Sequence, residues 1–156
     1  MTSRGVADLF EHAGTRLFAR NIRGFLGSTE INRSMESTLK NESEYFWYYN
    51  NGITIICDDA DETSSHGKHI LRVKNPQVIN GQQTTRMLYR MANTSPKASV
   101  TVKVIRVTRR DDGGSEQFDT LVSNIVQATN WQNAIRASDL ISNDRRQIEK
   151  IGRAHV

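Results

Sequence analysis

The most constraining feature of this chain is a strand-like run that passes through a glycine directly into a helical pattern. Val78 and Ile79 are strand formers, and Gly81 follows them after a single polar residue. From Thr85 to Ala92, apolar residues recur at helical spacing. The chain must therefore fold with strands and helices close together in sequence.

The rest of the pattern predicts a single α+β domain with a mixed β-sheet and flanking helices. The chain has 156 residues, about the length of one domain. Helical spacing runs through Leu9 to Leu39 and returns between Phe118 and Ile125. Val100 to Val104 alternates apolar and polar residues, as a half-buried strand does.

Three stretches between these elements carry more specific predictions. Tyr45 to Cys57 is predicted to be a hairpin, with aromatic and β-branched strands on either side of a turn at Asn50-Asn51-Gly52. The polar run Asp58 to Lys68 is predicted to be a surface loop. Ile70 to Val73 and Gln77 to Ile79 are predicted strands, separated by Asn75-Pro76.

Composition narrows the class of protein. The 21 Lys and Arg residues exceed the 17 Asp and Glu residues, which gives a formal net charge of +4 at pH 7. This charge agrees with either a phosphate-bearing partner or an ordinary solvated surface. The single Cys57 cannot form an internal disulfide, and His66 and His69 lack further ligands for structural zinc. No apolar stretch approaches the length of a membrane span. We therefore expect a cytoplasmic protein without a membrane segment.

The last six residues, Ile151 to Val156, match the translation of a common sequencing-adapter read. We therefore expect the native domain to cover residues 1–150 and to be incomplete there, in the middle of a helical pattern. Residues 151–156 are expected to be a cloning or sequencing scar.

The glycine turn is the strongest candidate for a binding site. A helix leaves its first amide protons without intrahelical partners, and together with the helix dipole they attract anions. The residues expected to bind a phosphate here are Asn80, Gly81, Gln82, Gln83, Thr84, Thr85 and Arg86. The alternative is that Asn80 and Thr84 only cap the helix, since capping uses the same residue types.

A second polar cluster is expected to face this turn. Asn130, Gln132 and Asn133 carry amide groups that can read a ligand's hydrogen-bonding edge but cannot exchange protons, and Asn50 and Asn51 would close the rim. A polar helix end followed by a turn is the alternative interpretation.

Further candidates are weaker. Alternate rings of the aromatic block could stack on bases, although core packing is the default interpretation. Arg16, Arg20 and Arg23 have near-helical spacing and could contact a nucleic-acid backbone or simply lie on a solvated face. The acidic run from Asp58 to Glu62 lacks calcium-loop spacing, so no metal site and no catalytic residue is assigned.

Four blocks in order resemble the abortive-infection phage-resistance (AIPR) family of bacterial proteins. They are residues 17–27 (LFARNIRGFLG), 46–54 (FWYYNNGIT), 74–85 (KNPQVINGQQTT) and 129–133 (TNWQN). The resemblance implies a role in phage defence and a longer parent protein, with regions missing on both sides.

A more distant likeness is to the partition-protein B (ParB) superfamily and relatives with an Asp-Gly-Gln-His-Arg motif. It implies a ParB-like arrangement in which a glycine turn and a later Asn-containing patch hold a nucleotide. Here the motif reads Asn80-Gly81-Gln82-Gln83-Thr84, with an amide at the acidic position and the arginine later, at Arg86. This departure disfavours hydrolysis and leaves phosphate binding intact.

The sequence therefore predicts a defence domain that binds nucleic acid or nucleotide phosphate at the glycine turn. A nucleotide is the only cofactor that the resemblance implies. Two alternatives stay open: a nuclease or nucleotide hydrolase, and a protein-interaction module that senses a phage component or partner protein.

Overall fold

The middle strand of the central sheet is β1 (Ile53–Cys57) in the computed structural model, which describes residues 1–20, 30–108 and 116–131. β4 (Gln77–Asn80) pairs with one side of β1 in antiparallel orientation, and β5 (Val102–Arg106) pairs with the other side in parallel. The predicted sheet is therefore confirmed as mixed. Every residue of β1 is buried, because both faces of this strand are covered.

One face of the sheet packs against helices from the first two thirds of the chain. α1 (Ser3–Ala13) begins at Thr2, whose hydroxyl accepts a hydrogen bond from the Gly5 amide at 3.2 Å. α2 (Glu30–Asn41) and α4 (Gln82–Met91) also lie on this side. The buried cluster that they form with the sheet is Val6, Leu17, Phe18, Leu39, Phe46, Ile53, Ile55, Val78, Met87, Leu88, Met91, Ala98 and Val100.

The opposite face packs against a helix over residues 116–131, here called α5. Val122 and Val126 lie one turn apart on this helix and are both buried. They share a second cluster with Ile56 and Ile79 of the sheet and with Val107. The described chain is thus a single α+β domain with helices on both faces of the sheet, as predicted.

The predicted loop from Asp58 to Lys68 is wrong. β2 (Asp59–Ser65) and β3 (Lys68–Lys74) form a two-stranded hairpin with continuous antiparallel pairing, closed by a turn at His66 and Gly67. β2 is polar at nearly every position because almost all of it is exposed, so it shows no apolar alternation.

The predicted hairpin from Tyr45 to Cys57 is also wrong in its first half. Ser43–Tyr45 forms a short 3₁₀ turn, and Phe46–Tyr49 continues as a single α-helical turn, α3. Only the second half, β1, is a strand. The other strand predictions are confirmed, and the helix predicted from Thr85 begins earlier, at Gln82.

Two of these expectations fall outside the described residues, namely the adapter-like segment 151–156 and the polar residues after Trp131. Among the residues that are described, no helix is long and apolar enough to cross a membrane.

Candidate functional site

The turn between β4 and α4 has the geometry expected of a glycine. Gly81 has φ of +90° and ψ of 28°, in the left-handed region that other residues rarely adopt. It is the N-cap of α4 and supplies no side-chain acceptor to the first helical turn. Neither Asn80 nor Thr84, the residues of the capping alternative, is the N-cap, and no side chain makes a capping hydrogen bond at Gly81.

Gly81 also lies against a second glycine in close backbone contact. A Cβ atom at Gly81 would lie 2.7 Å from the carbonyl oxygen of Gly52, and one at Gly52 would lie 2.6 Å from that of Thr101. Three backbone segments thus approach one another through positions without side chains. This contact fixes the glycine turn relative to the start of β1 and the chain entering β5.

Asn50 joins the same turn to the segment before β1. Its side-chain oxygen accepts a hydrogen bond from the Gly52 amide at 2.8 Å, and its side-chain nitrogen donates to the Thr84 hydroxyl at 3.1 Å. Asn50 and Thr84, predicted from separate blocks of sequence, are therefore in direct contact. The Thr84 side chain is buried and takes part in this link.

Thr85 has a role inside the fold. It is 0% exposed, and its hydroxyl donates to the Gly81 carbonyl at 2.8 Å. The hydroxyl that was predicted to face a phosphate therefore stabilises the turn from within, and we assign it to the fold.

The other predicted residues of this turn are at least partly accessible. Asn80, Gly81, Gln82 and Gln83 are all of intermediate exposure, and Asn51 is exposed. Asn80 directly precedes this turn, and Gln82 and Gln83 are the first two residues of α4, where backbone amide protons lack intrahelical acceptors.

Arg86 lies one helical turn into α4 and stacks on aromatic rings. Its guanidinium carbon is 4.6 Å from the centroid of the Phe18 ring and 5.9 Å from that of Phe10. Such cation-π contacts hold a guanidinium in place while leaving it charged. The positive charge of Arg86 is thereby fixed on the side of α4 that follows the turn.

Of the second polar cluster, only Asn130 lies within the described residues; Gln132 and Asn133 do not. Asn130 follows the buried Val126 by one helical turn, so both lie on the same face of α5. The next residue, Trp131, is 69% exposed. Whether Asn130 faces the glycine turn stays a prediction.

The arginine stretch does not form a regular helical face. Arg16 is exposed in a 3₁₀ helix over Gly14–Phe18, Arg20 follows that helix, and Arg23 is outside the described residues. The Arg20 guanidinium forms an ion pair with Asp119 at 3.2 Å, so its charge is already partly balanced.

The default interpretation of the aromatic block as core is wrong for four of its five residues. Only Phe46 is buried; Tyr45, Trp47, Tyr48 and Tyr49 are 46%, 50%, 70% and 68% exposed and contact one another. We call these four residues the aromatic patch. The Trp47 ring nitrogen donates to the Thr101 hydroxyl at 2.7 Å, which places the patch next to the Gly52 contact. Five consecutive aromatic residues show no apolar period, so the sequence carried no signal for the single helical turn that exposes four of them.

The lone cysteine and the candidate metal ligands bear on catalytic potential in the described part of the chain. Cys57 is buried, and burial together with the nearby Asp58 and Asp59 raises the pKa of its thiol, which keeps it protonated and unreactive. Within residues 1–20, 30–108 and 116–131, no three His, Cys, Asp or Glu side chains are grouped so as to hold a metal ion.

Comparison with known proteins identifies one family. A family model described as AIPR protein matches residues 18–153. No curated protein and no solved structure gives a significant match.

Proposed function

Because the chain belongs to the AIPR family, we propose that it is a cytoplasmic defence domain that binds the phosphate of nucleic acid or a nucleotide at the first turn of α4. Membership of this family indicates a role in abortive infection, an anti-phage defence. The single observation that carries the proposed binding site is the N-terminus of α4, where the N-cap is Gly81 and no side chain of that residue caps the helix.

An anion at this turn would be stabilised by two effects. The amide protons of a first helical turn have no intrahelical acceptors, and the helix dipole adds about half a positive charge there. The partly exposed amide side chains of Asn80, Gln82 and Gln83 give polar partners at the rim. Arg86 adds a guanidinium group that its contact with Phe18 holds in position.

The course of α5 supports a role for Asn130. Phe118, near the beginning of α5, lines a cavity of about 270 Å³ with Gln77, the first residue of β4. Further along, Val126 belongs to the same buried cluster as Ile79. A course of α5 along β4 towards Gly81 would agree with both observations and would bring the last turn of the helix close to the proposed site.

Binding tests on the 156-residue chain should use ATP, a 12-nucleotide oligo(dT) and a 12-nucleotide RNA at 50 and 200 mM NaCl. We expect at least one probe to bind, with an affinity that falls as salt rises. No binding by any probe at either salt concentration would remove the phosphate proposal.

The sharpest variant is Gln83→Glu. A carboxylate in the first turn of a helix stabilises the helix but repels a phosphate, so we expect equal or higher thermal stability together with at least tenfold weaker binding.

Arg86→Gln should also weaken binding. It should reduce the slope of log affinity against log salt concentration by about one, because one fewer counterion is released. Arg90→Gln, one turn further from the N-terminus of the same helix and paired with Glu36, is the matched control and should leave binding unchanged. Normal binding by Gln83→Glu would place the ligand elsewhere.

A second candidate function, a protein-interaction sensor, is favoured by the aromatic patch. Exposed aromatic clusters are typical of protein interfaces. Under this alternative, replacing Tyr48 and Tyr49 with serine should abolish phage defence in cells while leaving probe binding unchanged. If the same pair instead weakens oligonucleotide binding but not ATP binding, the rings contribute to stacking on bases.

A further inference from the structure

Two Asn-Gly sequences meet at the contact between the glycines. They are Asn51-Gly52, directly before β1, and Asn80-Gly81, at the end of β4. A Cβ atom at Gly81 would lie 2.7 Å from the Gly52 carbonyl oxygen, so the two sequences are adjacent in the fold. Asparagine followed by glycine is especially prone to spontaneous deamidation, because glycine has no side chain to hinder attack by its own amide nitrogen. The chemical stability of both asparagines therefore depends on the contacts of the glycine amides.

Deamidation needs a free backbone amide and a side chain that the amide can reach. The amide nitrogen of the glycine loses its proton to water or hydroxide and attacks the side-chain carbonyl carbon of the asparagine. The new carbon–nitrogen bond closes a five-membered succinimide ring, and the side-chain nitrogen takes up a proton and leaves as ammonia. Water then opens the ring at either carbonyl group, which gives aspartate or isoaspartate.

The Asn51 side chain is accessible, but the amide that would attack it is engaged. Asn51 is exposed, whereas Gly52 is buried. The Gly52 amide donates a hydrogen bond of 2.8 Å to the side-chain oxygen of Asn50, the geometry of an Asx turn. This bond must open before the amide can lose its proton and attack. Asn50 therefore controls the reaction at Asn51.

The second sequence is protected by the sheet. Asn80 is a residue of β4 and pairs with Thr54 of β1. The attack needs a rotation of the Asn80 backbone that would break this pairing. Gly81 also has little room to move, because a Cβ atom there would lie 2.7 Å from the Gly52 carbonyl oxygen and 3.0 Å from the Ile53 Cα atom. The same dipeptide thus occurs twice in one small region, with a different protecting contact each time.

We propose that Asn51 is a spontaneous deamidation site at which Asn50 sets the rate by holding the Gly52 amide. Conversion occurs when the turn opens locally, without unfolding of the sheet. The aspartate product adds a negative charge between Asn50 and Gly52, which both contact the glycine turn. The isoaspartate product also inserts one methylene group into the backbone there, which displaces Gly52 from Gly81. This inference does not depend on the proposed phosphate site.

Incubation of the intact chain at mildly alkaline pH, followed by tryptic peptide mapping with mass spectrometry, tests the proposal. The two asparagines fall in different tryptic peptides, 41–68 and 75–86, and fragment spectra assign the converted residue. We expect both asparagines to convert rapidly when the chain is unfolded in urea. In the folded chain, Asn51 should convert at least about tenfold more slowly than in urea, but faster than Asn80, because a turn opens more readily than a sheet.

Three substitutions separate the effect of the hydrogen bond from general destabilisation. Asn50→Ala removes the acceptor of the Gly52 amide and should accelerate conversion of Asn51 at least about fivefold, with no change at Asn80. Asn50→Asp keeps an acceptor oxygen and should leave the rate at Asn51 within about twofold of the wild type. Thr84→Val removes the other hydrogen bond of Asn50 and should also leave this rate within about twofold.

Three results would overturn the proposal. Equal acceleration at Asn51 by Asn50→Ala and Thr84→Val would indicate destabilisation as the cause, and so would equal acceleration at Asn51 and Asn80 in Asn50→Ala. Equal rates at Asn51 in the folded chain and in urea would show that the fold gives no protection. This last comparison uses the wild type alone, so it does not depend on the folding of any variant.

Discussion

At the scale of single residues, the two glycines in contact explain more of the site than any charged group does. Gly81 combines a positive φ with a backbone neighbour at the place where its Cβ would be. Gly67, in the hairpin turn, also has a positive φ, but its Cβ would meet nothing within 4 Å. A side chain at Gly67 would therefore cost only backbone strain, whereas a side chain at Gly81 would cost backbone strain and a clash with Gly52.

Gly81→Ala should destabilise the domain by about 2 to 4 kcal/mol, because left-handed backbone strain and displacement of Gly52 act together. Gly67→Ala should cost only about 1 kcal/mol, since strain acts alone. Urea unfolding monitored by tryptophan fluorescence measures both changes. Similar losses in the two variants would show that the contact with Gly52 does not contribute.

The sequence was sufficient to predict the left-handed glycine but not the roles of the threonines beside it. A glycine between a strand and a helix indicates its own backbone conformation, since few other residues adopt it. Whether Thr84 points outwards depends on Asn50, which contacts it from 34 residues away in the chain. No local pattern encodes such a partner, so two hydroxyls expected at a ligand belong to the interior.

At the scale of elements, sequence reasoning was reliable where one face of an element is buried and failed elsewhere. α4 and α5 show the expected period because each packs one face against the core, and β4 is a short apolar run because both of its faces are buried. β2 lacks a buried face, and α3 is a single turn whose aromatic residues have high strand propensity. Both were misassigned for the same reason, that residue type was the only available signal.

The connection between α4 and the chain entering β1 can be measured through Asn50 and Thr84. Asn50→Ala and Thr84→Val should each be destabilising, by about 1 to 2 kcal/mol, because each removes one partner of a largely buried hydrogen bond. In the double variant the losses should be less than additive by about 0.5 to 1.5 kcal/mol. Free energies of unfolding from chemical denaturation give this coupling. Strict additivity would contradict a direct bond between these side chains.

At the scale of the whole molecule, the hairpin and the central sheet should differ in local stability. The hairpin residues are nearly all exposed, whereas β1 is buried throughout. Local opening costs little where few apolar contacts are lost. We therefore expect amides of β2 and β3 to exchange with deuterium at least tenfold faster than those of β1. Fragment-resolved mass spectrometry measures this, and equal protection would mean that the hairpin is held by contacts comparable to those of the core.

The pairing of Met1 with Val100 also has a consequence for synthesis of the protein. The Met1 amine donates to the carbonyl of Val100, a partner 99 residues further along the chain, and β5 follows directly after that residue. On the ribosome, β1 can pair with β4 soon after it emerges, but its other side and the first residues of the chain find their partners only once residues 98–106 have been made. Until then the isoleucines on the uncovered faces of β1 depend on chaperones or on transient collapse for protection from aggregation.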